Sequence, residues 1–174
     1  MSINIGDLQN NIYHELLDIL QKENNLLITG HIDPDGDCIG SMLAIYHGFN
    51  GQAKGWQMVI ECPVPEHLLF YPGAEMIKTV GEVEKELSSF SSALLLDCNQ
   101  VFRAGSWLGK LWDDFSNRLI IDHHQGVGDD ADLSLIEKDA AATGLIIAVL
   151  LQKAGLNIDQ DIATCLYGSI AADT

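Results

Sequence analysis

Residues 30–41 read GHIDPDGDCIGS and set one imidazole, His31, beside three carboxylates, Asp33, Asp35 and Asp37, in a turn that contains Pro34 and Gly36. Nitrogen and oxygen donors together suit Mn²⁺, Mg²⁺, Fe²⁺ or Zn²⁺ rather than a thiolate-bound soft metal. The same residues also make an ordinary Asp-rich turn that caps the next helix, and both readings stand at this point. A calcium loop fits poorly, because Pro34 interrupts the string and no Glu closes it. Further along, LLLDCN places Asp97 directly after an apolar run, where a lone Asp also serves as a turn residue. IIDHHQG is harder to read as packing, since Asp122, His123 and His124 follow a buried run and waste polar groups unless they bind something. Neighbours on an extended strand face opposite sides, so at most one of the two histidines ligates from a regular strand. The other faces a substrate or is placed by the loop.

The elements that must position these residues alternate. Apolar spacing gives a helix over 7–23, a short strand ending at Gly30, a helix over 38–49 and a strand over 56–61. A short helix over 82–90, a strand over 92–99, a helix over 105–115 and a strand over 118–124 follow. LSLIEK forms a further strand, and 141–154 and 159–171 are apolar helices. This order predicts an α/β fold, a mostly parallel sheet flanked by helices on both faces. Ligands of such sheets sit beyond the carboxyl ends of the strands, where His31, Asp97 and the Asp122–His124 cluster are delivered.

Composition narrows the chemistry. The 174 residues carry 25 acidic and 9 basic side chains, a net charge of −16, with 47% hydrophobic and 20% charged residues. One folded domain is expected. A surface this acidic repels a long polyanion unless cations are gathered at a site. No basic leader with an apolar stretch opens the chain and no apolar run approaches about 18 residues, so a cytoplasmic protein without membrane contact is expected. Cys38, Cys62, Cys98 and Cys165 form no CxxC pair and read as reduced thiols, with Cys38 and Cys98 as small packing residues. His14, His47 and His67 lie outside every motif.

In order and spacing, HIDPDGD, LLLDCN, DHH and the closing GSIAADT resemble the four motifs of the DHH phosphoesterase superfamily over nearly the whole chain. The similarity is greatest to its bacterial oligoribonuclease/pAp-phosphatase branch, related to RecJ-type exonucleases and cyclic-di-AMP phosphodiesterases. The resemblance implies a catalytic domain over residues 1–174 that holds two divalent metal ions, Mn²⁺ first, with Mg²⁺ or another ion as the alternative. His31 and Asp35 would hold one ion, Asp37, His123 and Asp173 the second, and Asp97 would bridge them. His124 would contact the scissile phosphate and Asp122 would orient the histidine pair. Asp33 falls at a variable position and reads as a turn residue. Arg103, one of only two arginines, would hold a phosphate oxygen or pair with an acidic neighbour.

The implied reaction is hydrolysis of short nucleotide phosphoesters such as oligoribonucleotides, pAp or cyclic dinucleotides, with no long nucleic acid bound by this domain alone. The resemblance also implies a C-terminal, DHH-associated substrate-binding domain, which is expected to be absent from these residues. The apolar C-terminal helices would meet that domain or a second copy of the chain. Two other readings remain: an inorganic pyrophosphatase or polyphosphatase of related fold, against which Gly36, Cys38 and the Gly40–Ser41 pair argue, and a catalytically weak regulatory or assembly module.

Overall fold

The computed structural model describes residues 5–126, 128 and 131–174. Helix α1 (Ile5–Lys22) leads into strand β1 (Leu26–Thr29), α2 (Gly36–Gly48), β2 (Gln57–Ile60), β3 (Lys78–Thr79) and α3 (Val80–Val83). There follow β4 (Ser92–Leu96), α4 (Ser106–Leu111), β5 (Asn117–Asp122), β6 (Leu133–Ile136), α5 (Thr143–Lys153) and α6 (Gln160–Asp173). The six strands form one sheet in the order β3-β2-β1-β4-β5-β6, and every pairing is parallel.

Alternation along the strands divides the interior in two, as the pleat requires. Leu26, Ile28, Leu94, Leu96, Leu119 and Ile121 face a core shared with α1, α2, α5 and α6. Leu27, Ala93, Leu95 and Ile120 face the other way, against Leu87, Trp107, Leu108, Trp112 and Phe115. With both faces covered, β1 and β4 are buried at every position. That is why they read as continuous apolar runs.

One local expectation changes, and one strand, β3, was not anticipated. The helix expected over 82–90 is the single turn α3 followed by a 3₁₀ turn, Leu87–Ser89. A capping box between Thr79 and Glu82 starts the helix earlier, and Ser88 and Ser89 support little helix beyond it. Strand β3 has two residues, too short for any periodic signal.

At the opposite end of the sheet from the polar motifs, Glu23, just after α1, ties the turn that leads into β1 to the start of β4. Its Oε1 accepts from Asn24 N and Asn25 N, both 2.9 Å, and from Ser91 Oγ at 3.0 Å, while Oε2 accepts from Ser92 Oγ. Partial burial pushes its carboxyl pKa up, but the Ser92 hydroxyl, the Asn25 amide and the remaining donors outweigh it, and the net shift is downward. A lowered folded-state pKa stabilises the fold above the ordinary carboxyl value and loses that contribution as pH falls through the folded one. Glu23→Ala is expected to cost about 2 kcal/mol at pH 7, the scale for hydrogen bonds to a charged group. Urea unfolding measures it, and the gap between variant and parent should narrow below about pH 4.

Candidate metal centre

The strand order reverses between β1 and β4. From β1 the chain proceeds outward to β2 and β3, then returns to β4 on the other side of β1. The crevice beyond the carboxyl ends of these two strands is where open α/β sheets bind ligands. Thr29 pairs with Leu95, so two residues later His31 and Asp97 emerge side by side. Leu96 pairs with Ile121, and Asp97 N donates to Ile121 O at 3.0 Å, which brings the end of β5 alongside. Asp97 itself adopts φ = 58°, a left-handed conformation uncommon for a residue with a side chain. It turns the chain out of the strand at the point where its carboxylate is needed.

Among the described residues three overlapping groups of donor atoms result: His31, Cys38 and Asp97; Asp97, His123 and His124; and Asp37, His123 and Asp173, the atoms of each group lying within 4.8 Å of one another. Asp97 and His123 each belong to two groups, so the set is continuous. His31 Nε2 lies 3.5 Å from Asp97 Oδ2 and 3.9 Å from Asp35 Oδ1. His123 Nε2 lies 3.1 Å from Asp173 Oδ2, 3.7 Å from Asp37 Oδ2 and 3.7 Å from Asp97 Oδ1. Asp35 also caps α2, its Oδ1 accepting from Cys38 N at 3.0 Å, so the capping turn and the cluster are one structure.

The histidines are not on a regular strand, because β5 ends at Asp122. Their rings therefore escape strand alternation and sit 4.6 Å apart. Asp122 does not orient both of them. His124 Nδ1–H donates to Asp122 Oδ1 at 2.7 Å, whereas His123 Nδ1–H donates to Ala140 O at 3.3 Å. Each bond fixes the tautomer that leaves Nε2 with a lone pair. Arg103 stands outside the cluster, in a cleft it shares with His31 and the exposed Asp33.

Asp37 is fully buried, and what holds it was invisible in the sequence. Helix α5 begins after Ala142, which has no side chain to cap it, and Asp37 supplies the cap from across the fold. Its Oδ2 accepts from Thr143 N at 2.7 Å and its Oδ1 from Gly144 N at 3.0 Å, at the positive end of the helix dipole. Ser41 Oγ and Ser169 Oγ also donate to Oδ1, and Thr143 Oγ1 donates to Asp97 Oδ1 at 2.9 Å. The helices approach closely enough for this only because glycines line their contacts: a Cβ on Gly40 would lie 2.6 Å from Cys165 O, and one on Gly144 would overlap Ser169 Oγ.

The charges are far from ordinary. Burial opposes a charged His31, but the Asp35 and Asp97 carboxylates outweigh it and raise its pKa to about 9. Asp35 is lowered to about 2, chiefly by His31, while burial raises Asp97 to about 6. Burial and the neighbouring Asp37 raise Asp173 as well. Among the described residues, the buried side-chain atoms without a hydrogen bond are Asn99 Nδ2, Asp122 Oδ2 and His123 Nε2, all at or just beyond the carboxyl ends of β4 and β5. Buried polar atoms are seldom left so. A lone pair on His123 Nε2 facing three carboxylates calls for a cation, and the nitrogen and oxygen donors fit a divalent metal.

The model of the DHH family N-terminal domain matches residues 25–170. The chain belongs to the DHH family. A relative in Thermus thermophilus, described as the bifunctional oligoribonuclease and PAP phosphatase NrnA, is 30% identical over 152 residues, covering 87% of this chain and 44% of that protein. The chain thus spans less than half the length of that relative. Among solved structures, an exopolyphosphatase-related protein from Bacteroides fragilis superposes with a TM-score of 0.88 at 22% identity, over 95% of this chain and 50% of the other. Exonuclease RecJ bound to manganese gives a TM-score of 0.50 at 16% identity, over 94% of this chain and 42% of the other. At these identities the two structures establish the DHH fold alone.

In this DHH domain the hydroxyls around Asp37 and Asp97 were given no site role by sequence reasoning: Thr143 lies outside every motif, while Ser41 and Ser169 fall within GHIDPDGDCIGS and GSIAADT. No helix among the described residues is long and apolar enough to cross a membrane, and the four cysteines are free thiols. Cys38, read as packing, brings its sulfur to His31 and Asp97. Ser169→Ala leaves a buried carboxylate short of a donor and is expected to lower the unfolding free energy of the metal-free protein by about 1–3 kcal/mol. The urea midpoint should fall with the slope unchanged.

Proposed function

We propose that this DHH-family chain is a divalent-metal-dependent phosphoesterase acting on short nucleotide phosphoesters, such as di- and oligoribonucleotides, pAp or cyclic dinucleotides. The observation that carries the reading is the buried His123 Nε2, without a hydrogen bond and faced by Asp37, Asp97 and Asp173. His31 and Asp35 would hold one ion, Asp37, His123 and Asp173 the other, with Asp97 shared between the two sets. Two ions held this way, Mn²⁺ first among candidates, supply Lewis-acid activation of water and of the phosphoryl oxygen.

The chain's own residues do the rest. Asp122 accepts from Nδ1–H of His124 and fixes its ring, and the 41% exposed imidazole contacts a non-bridging phosphate oxygen by donating from Nε2 when that nitrogen also carries a proton. Thr143 fixes the Asp97 carboxylate, and the amides at the α5 N-terminus hold the Asp37 carboxylate in place. Arg103 lies in the adjoining cleft and pairs with a further phosphate oxygen. The nucleotide class is supported by the relative described as an oligoribonuclease and PAP phosphatase. The acidic composition keeps the substrate short, because a long polyanion needs basic surface that 9 basic residues against 25 acidic ones do not provide.

Asp97→Asn preserves volume and removes the shared charge. It is expected to lower Mn²⁺ content and to reduce Mn²⁺-stimulated hydrolysis of pApA by at least about a hundredfold, the upper scale for losing even an outer-shell partner of a metal site. Unchanged metal content and rate in a folded variant would contradict the assignment. Preferential hydrolysis of pyrophosphate or tripolyphosphate by the parent would instead favour the polyphosphatase reading.

A further inference from the structure

Beside the metal centre lies an open cleft of about 370 Å³ whose wall includes His31, Ile32, Asp33, Phe102 and Arg103. Phe102 is 69% exposed and Ile32 40% exposed, although both belong to ordered motif segments. Phe102 also borders a second cleft of about 420 Å³ on its far side, so its ring stands as a ridge between the two. The turn that carries it, the 3₁₀ segment Val101–Ala104, is pinned on three sides. Arg103 N donates to Gln100 O at 3.0 Å, Ile32 N donates to Arg103 O at 2.7 Å, and Trp107 Nε1 donates to Ala104 O at 2.8 Å. Leaving a phenyl ring in water on a fixed turn forgoes the stabilisation that burial supplies. A flat, apolar, immobile face at the mouth of a phosphate-binding centre is what a heteroaromatic ring stacks on.

The make-up of the cleft suits a base beside a phosphate. His31 and Arg103 lie on its wall with the carboxylate of Asp33, which repels further phosphate, and Ile32 and Phe102 supply apolar surface. A nucleobase brings no charge, covers Ile32 and Phe102, and leaves Arg103 for the phosphate of the same nucleotide.

We propose that Phe102 is the stacking platform for the nucleobase of the nucleotide whose phosphate is cleaved, and so the residue that makes this site selective for nucleotides over other phosphoesters. The proposal rests on the phosphoesterase reading above and names the specificity element of that site. Phe102 acts on binding and selection, and the reacting atoms are handled by the histidine and carboxylate cluster.

The test compares parent, Phe102→Ala and Phe102→Trp in two assays. In the first, kcat/KM for pApA is divided by kcat/KM for the same dinucleotide lacking its bases. That ratio is expected to fall at least about fivefold in Phe102→Ala, through KM rather than kcat, and to be kept in Phe102→Trp, from base–aromatic stacking of about 1–3 kcal/mol. In the second, a non-hydrolysable phosphorothioate dinucleotide containing 2-aminopurine is titrated in Mg²⁺. Its fluorescence should be quenched by the parent and by Phe102→Trp and much less by Phe102→Ala. An unchanged ratio with unchanged quenching in Phe102→Ala overturns the proposal. So does a change in sedimentation mass without a change in quenching, which would assign the ring to a protein contact. Quenching that depends on Phe102 in a chain that hydrolyses no phosphoester would sustain the platform and sink the phosphoesterase reading.

Discussion

A single nitrogen organises this molecule. His123 donates from Nδ1 to Ala140 O, which leaves the Nε2 lone pair pointing among Asp37, Asp97 and Asp173. Two like charges within 4.8 Å repel by about 3 kcal/mol even at an effective dielectric of about 20. Such a cluster persists only where a cation, proton or metal, lies among the donors. The rest of the fold can be understood as the means of holding these groups together against their repulsion.

The means are mostly backbone. Parallel pairing of β1, β4 and β5 delivers His31, Asp97 and the histidine pair to one edge, because register alone fixes their relative positions. The dipole and free amides of α5 offset the charge of Asp37, and glycine contacts let α2, α5 and α6 come near enough for serine hydroxyls to reach it. The left-handed Asp97 and the unpaired Asp122 Oδ2 are local costs, borne where the cluster sits. Opposite them, Glu23 clamps the far ends of β1 and β4, so the strands that carry the site are anchored at both ends.

Much of this was legible in the residues. Buried strands appear as apolar runs, and polar clusters directly after those runs mark the carboxyl edge, so LLITG, ALLL and RLII gave both the sheet and the location of the site. What escaped was of two kinds. Elements of two to four residues, β3 and α3, carry no period to detect. Long-range partners were also hidden: Asp37 capping α5 over a separation of 106 residues, Ala140 rather than Asp122 orienting His123, and the Cys38 sulfur beside Asp97. None of these follows from local spacing, because each depends on how close two helices or two loops come once the core has packed.

Under the proposed function the cluster exchanges protons for divalent cations. At neutral pH and without metal, His31 carries a proton held to about pH 9 by its carboxylate neighbours, and a metal ion must displace it. Calorimetric titration of the metal-free 174-residue chain with Mn²⁺ at pH 7, repeated in buffers of different protonation enthalpy, measures stoichiometry and proton release together. Two ions per chain with net proton release, the release fading as pH rises past about 9, is the result expected. Binding without proton release, or no stoichiometric binding by a folded chain, would contradict it.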